Sequence, residues 1–561
     1  MTTWPASLPR PVFDGYALDP LEQAIRTDME TGSPRNRRRS KARNDRISVS
    51  WRLTDREMMI FRAWFDYDGG AAGGSAWFDI LLAYGDLGLK TRECRFSGIY
   101  KATPQAGMIW TVSASLEVRG GELTADQMLG AVLGLVSADG IYPTLTLNFA
   151  ADLALDSRIA FARSSSATYF DAAGIMQTAA LNVARFDHNP LTLDSLGLLL
   201  EEARTNLIAN TDLTASASVV SVGTATGPDG LPAFKVVPNA GAVAFPSRGN
   251  ISVQQVAIST TAGQTTGVAF TGWFAPFGPL AYKAHIVVMA DISGASQLYA
   301  LVSFDPTTGA FSSKALNTGW SDLVAPAAVL MPCGMWRVSW TLRYTQQASL
   351  RTAIKTFFQL RDQTDASSFT ADGASGIQYA CMQLEAGAFP TSYIPTTTAP
   401  ATRSAETATI SGAAFSAWHN ASAGTLLVEQ TWDYVGATNA GASVTLSDNT
   451  LNNYIGISRS GAGATPQGLI VTGGVSQCSP YANNATAGVP FKFAFAFGAD
   501  AAIALDGAQT ANSTDPAVTL PVVDRLHLGA ATGTVTRKHI GRLVYWPARL
   551  PDAELRSITL A

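Results

Sequence analysis

Short runs in which apolar and polar residues alternate, each closed by Gly, Pro, Asn or Asp, recur along this sequence. Alternation with a period of two sends successive side chains to opposite faces, so each run commits its segment to a strand with one buried side. Ile47-Ser48-Val49-Ser50-Trp51-Arg52-Leu53 is one such run, and Phe491-Lys492-Phe493-Ala494-Phe495-Ala496-Phe497 is another. Ile503-Ala504-Leu505 then ends in Asp506-Gly507, a dipeptide that accepts the positive φ angles of a two-residue hairpin. With 561 residues the chain exceeds a single core, because domains typically hold roughly 100–200 residues. The expected fold class is mainly β: a small α+β N-terminal domain, a β connector and two antiparallel β-sandwich domains.

The first domain is expected over residues 1–120. Trp4-Pro5 and Leu8-Pro9 open it as an extended arm, since proline suits neither a helix interior nor a central strand. After the Ile47–Leu53 strand, Thr54-Asp55-Arg56-Glu57 reads as a capping box. The helix it starts carries Met58, Phe61 and Phe65 as an apolar stripe. Gly69-Gly70-Ala71-Ala72-Gly73-Gly74 is expected to end it as a mobile loop. Thr91–Tyr100 and Trp110–Val118 complete a small sheet. Residues 121–140 read as a helical spacer, with Thr124-Ala125-Asp126-Gln127 as a second capping box. Residues 141–205 form the connector, in which Asp171 and Gly174 turn a hairpin. Gly197-Leu198-Leu199-Leu200 reads as a buried strand, and Glu201, Glu202 and Arg204 as charges pairing across a hairpin or a subunit boundary. From 206 to 395, strands at Val268–Trp273, Ala284–Ala290, Leu298–Phe304 and Trp336–Tyr344 describe one sandwich, with a turn at Pro228-Asp229-Gly230. The second spans 400–561 and ends in a helical turn at Pro551–Leu555.

Charged residues are 15% of the chain, against a usual ~25%, so neutral polar residues and the 49 glycines must cover the surface. The net charge of −4 argues against bulk attraction to nucleic acid or acidic membranes. Residues 1–120 nevertheless hold 17 Lys/Arg against 14 Asp/Glu, which suggests different surroundings for the two parts. Cys94, Cys333, Cys381 and Cys478 stand far apart and read as buried free thiols, with a Cys333–Cys381 bridge as the alternative. The start lacks the basic and apolar regions of a signal peptide, and no apolar run reaches the ~18 residues of a membrane helix. The chain is therefore expected to be made in a cytoplasm, without membrane insertion.

One stretch carries a resemblance. Phe161-Ala162-Arg163-Ser164-Ser165-Ser166-Ala167-Thr168-Tyr169, then Asp171 and Gly174, then Arg185-Phe186-Asp187-His188, then Gly197-Leu198-Leu199-Leu200-Glu201-Glu202-Ala203-Arg204-Thr205-Asn206-Leu207, resembles a segment of tailed-bacteriophage tail-fibre and head-spike proteins. Gly334-Met335-Trp336-Arg337-Val338-Ser339, Gln383-Leu384-Glu385-Ala386-Gly387 and Thr391-Ser392-Tyr393-Ile394-Pro395-Thr396 look like the carbohydrate-binding-type jelly roll of such proteins. Phe491–Gly507, Leu526-His527-Leu528-Gly529 and Gly541–Trp546 resemble a concanavalin- or laminin-G-type lectin sandwich. The N-terminal domain is similar to the helix-on-sheet domains of phage tail tubes and distal tail rings. The resemblance implies a virion structural protein of the tail tip or a tail fibre, assembled in the host cytoplasm. Its implied partners are other virion proteins, copies of itself (a trimer by analogy) and a host-surface glycan.

Candidate chemistry is sparse. His188, His285, His419, His527 and His539 stand without a HExxH or GxSxG pattern. Glycoside hydrolysis needs two carboxylates flanking one cleft, and whether any of Glu429, Asp433, Asp448, Asp500 and Asp506 converge is open. The chain is expected not to be an enzyme and to need no cofactor or metal. Sugar rings stack on exposed aromatics, with amides and charges around them. Trp320, Trp432, Tyr454 and Tyr481 are the candidate floor, with Asn453 and Asn483 as amides; Trp273, Tyr282, Tyr344, Trp418 and Tyr434 are wider possibilities. Trp336 and Phe491–Phe497 read as sandwich core. The basic run Arg35, Arg37, Arg38, Arg39, Lys41, Arg43 and Arg46 reads as a solvated loop, a subunit-interface arm or a tail-channel lining, with no specific nucleic-acid binding expected. The function expected is virion attachment with host-surface glycan adhesion. The alternatives are a head-decoration or collar spike with purely structural sandwiches, and a polysaccharide-trimming glycosidase.

Overall fold

The computed structural model describes residues 2–20, 24–27, 35–38, 45–85, 89–119, 123–208, 219–227, 231–244, 247–248, 256–257, 261–291, 298–348, 351, 353–433, 441–459, 465–483, 485–512, 518–533 and 535–560. The fold is mainly β, with antiparallel sheets and few helices. It divides into two compact units, Met1–Pro143 and Thr144–Ala561. No helix among the described residues is long and apolar enough to cross a membrane.

The first unit is a helix on a twisted sheet. Arg46–Thr54 lies between Val12–Asp19 and Ile109–Val118, and the sheet continues through Leu89–Phe96 to Phe78–Ala83. Ile47, Val49, Trp51 and Leu53 point inward and are buried, as the alternation requires. The helix Asp55–Asp66 starts on the expected capping box, with the Thr54 hydroxyl accepting from Glu57 N and the Glu57 carboxylate accepting from Thr54 N. Met58, Phe61 and Phe65 are its buried face. The opening arm is part of this core: Thr2–Thr3 pairs in parallel with Phe78 and Asp79, and Trp4 stacks on Trp51 with ring centroids 5.0 Å apart. The Gly-rich stretch is not the expected mobile loop. It folds back on the helix, where Ala71 N donates to Trp64 O at 3.0 Å and Ala71 is buried. A second capped helix, Ala125–Val132, forms where the spacer was expected. Arg35–Arg38 is a strand paired with Ala24–Thr27 rather than a loop.

The second unit holds two sandwiches. In the distal one, Lys538–Trp546 and Gly424–Thr431 are central to an eight-stranded sheet that continues through Pro490–Phe497 to Ala508–Asn512. A seven-stranded sheet centred on Arg525–His527 and Ala442–Ser447 faces it. Leu426, Val428, Phe493 and Phe495 from one sheet and Val444, Leu446, Ile455 and Ile457 from the other share one core. The segment expected as a β connector is woven into these sheets. Ser195–Leu200 and Leu145–Asn148 pair with Lys538–Trp546, and Ala160–Ala162 pairs with Thr407–Ser411. Asp506 (φ 44°) and Gly507 (φ 80°) make the hairpin turn foreseen for them. A terminal helix, Asp552–Leu560, packs beside it.

The other sandwich is inserted within the first. Its sheets are built around Thr265–Phe277 and Lys283–Asp291, and all four strands expected between 268 and 344 form. Phe270, Phe274, Ile286, Val302 and Trp340 fill its core. The chain leaves the distal sandwich along Arg204–Asn206 and returns along Ala401–Arg403. These two strands pair with each other, Arg204 opposite Arg403 and Asn206 opposite Ala401. The expected turn at Pro228-Asp229-Gly230 lies outside the described residues.

Candidate functional site: the charged neck and its cleft

Buried ionic side chains converge where the inserted sandwich joins the distal one. Arg163 meets Glu406 at 2.7 Å, and Arg185 bridges Glu406 at 2.7 Å and Glu201 at 2.9 Å. Arg403 joins Glu201 at 3.1 Å, and none of these five side chains is exposed. Arg537 links Glu201 at 3.1 Å to Asp433 at 2.8 Å. His539 Nε2 lies 2.9 Å from Asp187, and its Nδ1 lies 3.2 Å from Asp433. Burying a charge is costly unless partners and hydrogen bonds replace its water. Here Ser392 N and Oγ donate to Glu201 at 2.8 and 2.6 Å, and Arg185 donates to Thr168 O at 2.8 Å.

The electrostatics follow. Burial alone would raise the Glu201 carboxyl, but Arg403, Arg185 and Arg537 hold it well below its ordinary value. Burial alone would lower His539, yet Asp433 and Asp187 push it up to about 9. The neighbouring Lys538 is pulled down to about 7 by burial, with Glu202 opposing and Arg459 adding to the shift. Burial likewise raises Glu385, although the Thr391 hydroxyl and amide hydrogen-bond to it.

The segment 161–207 supplies Arg163, Arg185, Asp187, Glu201 and Glu202 to this neck. The charges expected to pair across a hairpin or subunit boundary find partners within the chain, Glu202 with Arg204 at 2.9 Å. Gly197 is required beside it: at φ 84°, an added Cβ would sit 2.3 Å from Ile540 O. Sequence reasoning missed the network because its partners Glu406 and Arg537 lie hundreds of residues downstream. The density of charge inside otherwise apolar strands was the available signal.

Against the neck lies a narrow, open-mouthed cleft of about 30 Å³. One wall is the hairpin of Ala167–Phe170 and Met176–Ala179, which Asp171 closes by accepting from Ala173 N and Ile175 N. The other is the outer face of the inserted sandwich, carrying Thr271, Trp273, Arg337 and Cys381. Asp187, Ser392, Tyr393 and Arg537 form the floor.

The glycan-contact candidates separate into two groups. Trp320 is buried, donates to Leu298 O at 3.1 Å and packs on Tyr344 at 5.0 Å, so it is core and offers no face to a sugar. Trp432 is corrected in the same way: it is buried against Phe491 at 4.8 Å and donates to Gln430 at 3.2 Å. Trp273, Tyr282, Tyr344 and Trp418 are buried too. The Asn453 amide is spoken for, donating to Asp448 at 2.9 Å and accepting from Gly473 N at 2.9 Å. Tyr481 is 65% exposed, Tyr454 is half-buried and Asn483 is exposed. Tyr454 starts a strand, whereas Tyr481 bridges to Gln467, which pairs with Ser458 near that strand's other end. At roughly 3.3 Å per residue, the two tyrosines stand about 13 Å apart along the sheet and cannot clasp one ring. Tyr434, Arg39, Lys41 and Arg43 lie outside the described residues; of Arg35, Arg37 and Arg38, all on the strand Arg35–Arg38, Arg37 is exposed. Cys94, Cys381 and Cys478 are buried as expected, but Cys333 is exposed.

The chain matches no family model and no curated protein sequence. Among solved structures it is similar to Trypanosoma rangeli sialidase, at 10% identity over 92% of this chain and 82% of that one, with a TM-score of 0.22. The same sialidase in complex with sialic acid matches at 10% identity over 100% and 98% of the two chains, with a TM-score of 0.21. Bacteroides ovatus Xyloglucan PUL GH43B matches at 10% identity over 83% and 97%, with a TM-score of 0.17. The expectation that the chain is not an enzyme is corrected here, because these matches carry the names of glycan-acting enzymes and the exclusion does not stand beside them. TM-scores this low transfer no fold, site or chemistry to this chain.

Each of the five carboxylates named for glycoside hydrolysis is engaged by partners within the chain. Glu429 is held by Arg542 and Lys492, Asp433 by Arg537 and His539, and Asp500 by Arg549. Asp448 accepts from Thr450 and Asn453, and Asp506 from Lys492 N. Asp187, which was not weighed, is the carboxylate that lines the cleft.

Proposed function

We propose that this chain is a tailed-phage virion protein that attaches through its first unit and presents the sandwiches of its second unit to glycans of the host surface. The observation that carries the reading is the segment 161–207, whose phage-like residues form the charged neck. A motif whose buried charges are matched within the chain has a structural reason to recur wherever one sandwich carries another. The partition of the chain at Pro143 is consistent with separate attachment and display functions. Tyr481, with Asn483 two residues on, is the exposed aromatic on the distal sandwich best suited to stack against a sugar. Several copies on one particle would multiply weak single-site affinity.

Two measurements test this reading together. Antibody labelling of intact particles under the electron microscope should place the protein at the tail tip or a fibre, whereas labelling of the head or collar would select the decoration alternative. Purified full-length chain should compete with particles for adsorption to host cells. Failure to compete, or release of new reducing ends from host polysaccharide, would replace adhesion with a structural or a polysaccharide-trimming function.

A further inference from the structure

We infer that the cleft beside the neck is a binding site for one small oxyanion, a carboxylate or a sulfate, received by Arg337. Arg337 lies on the strand Trp336–Thr345, directly opposite Trp273. Its neighbours Val338 and Trp340 are buried in the sandwich core, and residues 337 and 338 point to opposite faces. Arg337 therefore projects from the outer face into the cleft that it lines with Thr168, Tyr169, Asp187 and Arg537.

The cations around it are matched. Arg163, Arg185, Arg403 and Arg537 each hold a carboxylate within 3.1 Å. Among the described residues, Arg337 makes neither an ion pair nor a hydrogen bond. The nearest anions are already engaged: Asp187 with His539 and with Phe170 N at 2.7 Å, Asp433 with Arg537 and His539. Arg337 is half-buried, and its guanidinium carries five N–H donors that no acceptor among the described residues engages, so they stay available to a ligand. Burial, with Arg537 nearby, lowers its proton affinity, although Asp187 and Asp433 act against this.

An incoming oxyanion supplies what the fold omits. A carboxylate or sulfate accepts two parallel hydrogen bonds from a guanidinium fork. Tyr169 is half-buried in the same lining and adds a hydroxyl, while Trp273, Phe170 and Met176 provide apolar wall for the body of a ligand. The site differs from the exposed face around Tyr481 and does not depend on it.

The test titrates the full-length chain with glucuronate, sodium sulfate and glucose in a calorimeter. Glucuronate, sulfate or both should bind with one site per chain, and glucose should not. Binding by glucuronate alone would assign a carboxylate of an acidic sugar, and binding by both a general oxyanion site. Arg337→Gln should weaken binding at least tenfold, Arg337→Lys should retain part of it, and Tyr169→Phe should weaken it less. Thermal unfolding of each variant identifies any that fail to fold. The inference is overturned if neither anion binds, or if folded Arg337→Gln or Arg337→Lys binds as the parent does. Host-cell competition by Arg337→Gln separates the two readings: loss of anion binding with adsorption intact leaves adhesion standing through another face.

Discussion

The centre of the neck is as dry as the sandwich cores, yet the two are held by opposite means. In the cores, Ile455, Val444 and Phe493 meet through contacts that are many, weak and interchangeable. In the neck, Arg185 has two carboxylate partners and Glu201 three guanidinium partners. Shortening one core side chain leaves its neighbours still in contact with others. Removing one neck carboxylate leaves positive charge buried without water. The neck thus gains less from being formed than it loses from being incomplete, which makes it a device for specifying one arrangement.

The largest expected effect breaks this contrast if absent. Glu406→Ala should destabilise the second unit by about 3–5 kcal/mol in denaturant melts, because it leaves Arg163 without its carboxylate and takes one from Arg185. A loss no greater than that of a surface substitution would show that water reaches the neck. Next comes pH. His539 is raised from 6.5 to about 9 in the folded chain, so its protonation contributes fully below about 6.5 and is lost as pH rises through about 9. The stability advantage of the parent over His539→Gln should therefore shrink by about 3 kcal/mol across that interval. Lys538 has the opposite sign: lowered from 10.5 to about 7, it adds stability as pH rises between those values. The comparison is accordingly made between variants rather than on one raw curve.

Two smaller effects sharpen the contrast. Ile455→Val, in the distal core, should cost only about 0.5–1.5 kcal/mol and be insensitive to pH. Thr54→Ala removes the cap of the Asp55–Asp66 helix and should cost about 1 kcal/mol. That loss should appear in melting of the first unit, followed by the near-ultraviolet signal of its stacked Trp4 and Trp51.

Local features were legible in the sequence, because their causes are local. Both capping boxes, the alternating strands at 47–53 and 491–497 and the Asp506-Gly507 turn formed where the residue pattern required. What escaped depended on partners distant in the chain. Nothing near Ser195–Leu200 announces that it pairs with Lys538–Trp546. Trp320 and Trp432 are core rather than platforms for a sugar, because an aromatic in a strand carries no label for its face. Asn453, a candidate sugar-contact amide, instead braces a loop at Gly473, 20 residues away.

The side-by-side strands at 204–206 and 401–403 have a consequence for how such a chain can change over time. An element that begins and ends at adjacent points can be enlarged, exchanged or deleted without rerouting the rest, as a drawer slides from a cabinet. Whatever replaces it must still reproduce the rim: Thr391 and Ser392, which reach Arg403 and Glu201. Variation should therefore run freely through the far end of the inserted sandwich and stop at those two residues.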